Sequence, residues 1–93
     1  MSDESGELPA PLSQFSLNLN TICNWREATG RRIEECDFNN EIDVRMLIFC
    51  GLKDEVENFT LKDAGRLITS YNKAATHAFL KRVLLGEVTG RKN

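Results

Sequence analysis

The sequence is poor in residues that build reactive sites: its 93 residues include one histidine and three cysteines. Cys23, Cys36 and Cys50 form no C-x-x-C pair, and His77 is the sole imidazole. An odd number of widely spaced thiols points to neither a disulfide framework nor a zinc site. Unpaired thiols fit a reducing compartment, where cysteine usually serves as a small buried apolar residue. No apolar run approaches the ~18 residues of a membrane helix. The first residues, MSDESGELPAP, lack the basic start and apolar stretch of a signal peptide. A cytoplasmic protein with no membrane partner is expected. Charge of one sign is also missing: twelve Lys and Arg against fourteen Asp and Glu leave a net charge of -2. That balance provides no broad positive field for phosphate backbones, so nucleic acid is not an expected partner.

Catalytic and ligand signatures are equally scarce. The chain has no Gly-rich phosphate loop, H-E-x-x-H, EF-hand or paired-carboxylate motif. The acidic cluster Asp54, Glu55 and Glu57 lacks the spacing and central glycine of a calcium loop. At helical spacing His77 meets Lys73 and Lys81, which disfavour imidazolium and do not orient a base. The reading is a non-enzymatic protein without catalytic residues, metal or cofactor. A small cysteine-dependent enzyme is the competing idea that thiol reactivity tests.

What is present is globular: 41% hydrophobic and 28% charged residues, enough to close one small core. The expected fold is all-α, a small bundle of three to four helices over residues 17-86. A disordered acidic arm at 1-16 precedes it, carrying Asp3, Glu4, Glu7 and both prolines, and a flexible tail at 87-93 follows. The first helix runs from Asn18 or Asn20 to Thr29, with Gly30 as the left-handed stop. Leu19, Ile22 and Cys23 share its apolar face, with Trp25 at the edge. Arg26 falls on that face, either laying its stem along the core or donating to a partner across an interface. Ile33, Cys36 and Phe38 anchor the connection that follows.

The second helix starts at Asn40, with Asp43 as its capping-box partner, and stops at Gly51-Leu52 in a Schellman-like turn. It is apolar nearly all round, so it should be the most enclosed. Thr60 with Asp63 opens the next helix and Phe59 packs on Ala64 as a staple. Leu61, Ala64, Ile68, Tyr71, Ala75 and Ala78 then follow one helical face, and Gly65 marks a close helix approach. Weak helix formers from Ser70 to Lys73 mark a bend or break, although the length permits one helix to Leu85. Along the last segment Ala75, Phe79, Leu80, Val83 and Leu84 span an arc of ~180°, wider than one core contact requires. Either a folded-back helix buries them or they form a groove-binding or self-associating surface with Lys81 and Arg82 at its rim.

The order N-W-R-E-A-T-G-R, D-V-R-M-L-I-F-C-G-L and F-T-L-K-D-A-G-R-L-I, within Trp25 to Ile68 and its flanks, resembles the small tail assembly chaperones of long-tailed bacteriophages and prophage elements. The resemblance implies a helical protein of the host cytoplasm that binds the tape-measure protein and helps tail-tube subunits polymerise around it. Such a protein is absent from the finished tail. It further implies that Thr29-Gly30-Arg31, Asp43-Val44-Arg45 and Thr60 to Ile68 are fold signatures; the resemblance supplies the architecture and no contact map. The partner face expected on physical grounds is Ala75, Phe79, Leu80, Val83, Leu84 and Arg26, with self-association through the same surface. Chaperones of this kind often have a longer frameshifted form, and Arg91-Lys92-Asn93 can be encoded by AGA-AAA-AAC, which contains a slippery heptamer. The long acidic arm and Cys50 before Gly51 depart from the family pattern. The alternative function is a small helical DNA-binding or anti-repressor module, since capped helices flank a turn. Its recognition helix, from Leu61, would offer only Lys62 and Arg66 against Asp63.

Overall fold

A computed structural model describes residues 8-85. The acidic residues of the arm at 1-7 and the tail at 87-93 lie outside this range. Among the described residues there are four α-helices and no strand: α1 (Leu19–Thr29), α2 (Glu41–Leu52), α3 (Leu61–Leu67) and α4 (Lys73–Leu84). No described helix is long and apolar enough to cross a membrane.

Local chemistry sets most of the boundaries. The Asn18 side chain accepts from the Thr21 N-H, and Thr21 Oγ1 accepts in return from the Asn18 N-H, closing a box at the start of α1. Gly30 ends that helix at φ 74°, a conformation that costs glycine little. Thr60 and Asp63 exchange the same pair of bonds at the start of α3. Asn40 caps α2 by accepting from the backbone of Ile42 and Asp43. The expected box partner, Asp43, is engaged elsewhere, by Arg31.

As the apolar run predicts, α2 is the central helix and packs against α1, α3 and the N-terminal turn. Val44, Leu47, Ile48, Cys50 and Leu52 lie in the core with Leu12, Trp25, Ile33, Ala64 and Leu80.

Four expectations need correction. Residues 8-16 are not a loose arm: Ala10–Gln14 forms a 3-10 turn, and Leu12 is 0% exposed. The two prolines favour this shape, because their fixed φ suits the entry to a short turn and Leu12 then drops into the core. Gly51 is not a helix stop. It lies inside α2 without a positive φ, and a Cβ there would overlap the Phe15 ring. Its role is to admit that ring.

The buried face of α1 is also the opposite of the expected one. Trp25 is 0% exposed and Thr21 is buried, whereas Leu19 is 73% exposed, Ile22 is 41% exposed and Cys23 is on the surface. The indole N-H of Trp25 donates to the Arg32 carbonyl at 3.0 Å, which lets this large side chain be buried with its polar atom satisfied. Finally, of the two forms open to the C-terminal helical segment, the one present is the break near Ser70 to Lys73, which makes two helices and moves Tyr71 off the expected face. After α3 the chain turns at Ile68 to Asn72, where the Asn72 side chain accepts from the Thr69 N-H and donates to the Leu67 carbonyl, both at 2.9 Å. Tyr71, expected on a continuous apolar face, is instead 79% exposed in this turn.

Candidate functional site

The segments that carry the resemblance are joined in space. Arg31, just after the Gly30 stop, forms a forked ion pair with Asp43 of α2, at 2.6 Å from Nη2 to Oδ1 and 3.1 Å from Nη1 to Oδ2. The Asp37 N-H donates to the same carboxylate at 3.0 Å. The guanidinium lies 5.3 Å from the Trp25 ring centroid, a cation-π distance. Asp43 is buried, and the Arg31 hydrogen bond holds its carboxyl below the usual carboxylate range against the opposing effect of burial. The same bond raises the Arg31 pKa. Thr29 completes the corner: its hydroxyl donates to the Trp25 carbonyl and accepts from the Arg31 N-H. These residues therefore fasten α1 to α2.

Arg45, two residues beyond Asp43, is exposed on α2 and lays its stem against α3. A Cβ built at Gly65 would stand 3.2 Å from Arg45 Cδ, so the missing side chain lets the arginine stem lie close across α3. This is the close approach that Gly65 signalled. Next to it, residues of α2, α3, the turn after Ile68 and α4 face one another. An open groove of about 580 Å³ results, with Ile42 and Ile68 supplying its apolar surface and the buried Val44 and Ala64 beneath them. Arg45, Lys73 and His77 line the same groove, with Glu41 the acidic residue among its lining side chains.

Ile42 is 65% exposed at this groove despite its apolar character. The ion pairs among the described residues use Arg31, Arg32 and Arg66, and neither Arg45 nor Lys73. Burial, then Lys73 and Lys81, pull the His77 pKa down, which favours the neutral imidazole. Its ring meets Phe38 at 6.2 Å between centroids. The cationic character at neutral pH therefore belongs chiefly to Arg45 and Lys73.

The partner face expected on the last helix is only partly available. Leu80 and Val83 are buried in the core, and Phe79 and Leu84 are half-buried and packed against it. Phe79 meets Phe15 edge-on at 6.2 Å, so the N-terminal turn covers part of that face. Ala75 is half-buried, while Arg26 is exposed on the outer face of α1 near Ile22 in sequence. Lys81 lies over the Phe38 ring at 5.8 Å. Among the described residues the exposed large apolar ones are Leu19, Ile22, Ile42, Tyr71 and Leu85. Sequence periodicity missed the groove because it arises where two short helices meet a third; the signals nearest to it were Gly65 and the weak helix formers after it.

The thiols are differently placed. Burial pushes Cys36 up to about 12 and Cys50 up to about 11, so both stay protonated at neutral pH. Cys23 is exposed on α1. No group of three or more metal-binding side chains occurs among the described residues. No protein-family model matches the chain, and no curated protein or solved structure does so either.

Proposed function

We propose that this protein is a tail assembly chaperone of a long-tailed phage, acting in the host cytoplasm by binding the tape-measure protein while tail-tube subunits assemble on it. The observation that carries the reading is the open groove at α2, α3 and α4, where apolar side chains reach the surface between cationic ones. A groove of this kind suits a helix laid across it through anchors at i, i+3 and i+4. A long helical client with an apolar stripe aggregates unless that stripe is covered, and a small helical protein covers it without chemical change. The linked motifs add support: Arg31 pairs with Asp43 and the Arg45 stem lies against Gly65, which brings together segments whose order resembles the chaperone family.

The DNA-binding alternative draws less support. The helix from Leu61 is seven residues long, and its Arg66 is 3.4 Å from Asp63. A cysteine nucleophile is disfavoured at Cys36 and Cys50 by their raised pKa values.

Coexpression tests the proposal. A tape-measure protein encoded beside this chain should stay in the soluble fraction with the chain present, and the two should copurify. A tape measure that precipitates equally with and without the chain would overturn the reading.

A further inference from the structure

The groove has a charge asymmetry as well as an apolar surface. Ile42 and Ile68 present aliphatic surface, and Arg45 and Lys73 bring two cations to the same groove. Glu41 is the opposing carboxylate among its lining residues, and His77 favours its neutral form. Among the described residues no carboxylate lies within ion-pair distance of Arg45 or Lys73. A purely aliphatic helix would meet Ile42 and Ile68 but take water from these two cations while bringing no charge to balance the excess over Glu41. A basic helix would meet repulsion. A helix with a carboxylate beside its aliphatic anchors satisfies both parts of the surface.

We infer that the groove selects an amphipathic helix of another protein that carries an aspartate or glutamate next to its aliphatic stripe, with the carboxylate received by Arg45 and Lys73. The inference rests on the chaperone reading only for the identity of the client; the recognition chemistry is a property of the groove. It places the specificity of binding in residues of α2 and α4 that the core does not require, since Arg45 and Lys73 are both exposed.

The test is selection of a displayed library of amphipathic helical peptides, each about four turns long, on the full chain and on an Arg45→Glu, Lys73→Glu variant. Circular dichroism checks that the variant keeps its helices, and an Arg45→Gln, Lys73→Gln variant replaces it if the charge reversal does not fold. Peptides enriched on the native chain should carry Asp or Glu within one turn of Leu, Ile, Val or Met. Reversal of the two cations should switch enrichment to Lys and Arg, whereas neutralisation should remove the acidic preference. A synthesised winner should bind the charge-reversed chain about tenfold more weakly, as two partly exposed pairs turned repulsive would give. Its amide-shift footprint on the native chain should include Gly65, Thr69 and Lys73. Enrichment of the same peptides on native and variant chains, absence of enrichment on the native chain, or a footprint on Leu19 and Ile22 would overturn the inference.

A tape-measure arm separates this inference from the function. Client kept soluble equally by native and charge-altered chains would leave the chaperone reading standing and remove the acidic-helix rule. The expected peptide switch without any effect on tape-measure solubility would do the reverse.

Discussion

Replacing Gly51 by alanine probes the contact that fixes the N-terminal turn on α2. In an unobstructed helix interior this change gains about 1 kcal/mol, because alanine has the higher helix propensity. At Gly51 the added methyl would overlap the Phe15 ring. The ring is the free end of a side chain, so it would move while the helix backbone stayed in place, losing packing and its edge contact with Phe79. Truncating a well-buried phenylalanine costs about 3-5 kcal/mol, and displacement of the half-buried Phe15 ring should cost about 2 kcal/mol. The net expectation is destabilisation by about 1 kcal/mol, or a fall of about 4-8 °C in Tm. In a Phe15→Ala background the obstruction is gone, and Gly51→Ala should stabilise by about 1 kcal/mol. Urea unfolding of the four proteins, followed by circular dichroism and Trp25 fluorescence, should therefore give a coupling of about 2 kcal/mol. Equal losses in both backgrounds would refute the reasoning, because they would assign Gly51 a backbone role independent of Phe15.

Asp43→Asn should lower Tm at neutral pH, with a difference from the native chain that shrinks in acid. The folded-state pKa of Asp43 is depressed, so its contribution is complete above the unfolded carboxylate pKa of about 4 and is lost as pH falls through the lower folded value. His77 has a depressed pKa too, but it is a base: the unfolded chain takes up its proton first, and stability should fall as pH drops below about 6.5. A His77→Gln variant should flatten that limb in thermal scans. Iodoacetamide should label exposed Cys23 before Cys36 and Cys50, and peptide mass spectrometry that found the latter two modified first would contradict their burial and raised pKa. Leu19→Ser should change unfolding free energy by less than about 0.5 kcal/mol, while Trp25→Ala should cost about 3-5 kcal/mol. A large loss at Leu19 would restore the opposite face of α1 to the core.

Helix caps were legible because they depend on residues two to four apart. Asn18, Asn40, Thr60 with Asp63, and Gly30 each act through bonds that the local sequence implies. The central position of α2 was legible from its apolar circumference. The burial of α1 was not, because Leu19 and Ile22 match the helical period as well as Trp25 does. The decision came from distant partners: the Arg32 carbonyl accepts the indole N-H, and Arg31 covers the ring while pairing with Asp43. The N-terminal turn was hidden by its composition, since prolines and acidic residues obscured the apolar side chains of Leu12 and Phe15. Gly51 met the local pattern of a helix stop, but only the Phe15 ring reveals its use. Arg45, at the candidate site, was visible merely as part of a motif; its relation to Gly65 and Lys73 depends on the turn fastened by Asn72.

Hydrogen exchange on the chain bound to its coexpressed tape-measure protein tests the central claim most directly, because it asks whether the groove is where a client is held. Binding should slow exchange at Ile42 to Arg45, Ala64 to Thr69 and Lys73 to His77, and leave the outer face of α1 unchanged. Slowing confined to Leu19 to Arg26, or no change in the groove despite a stable complex, would contradict the account.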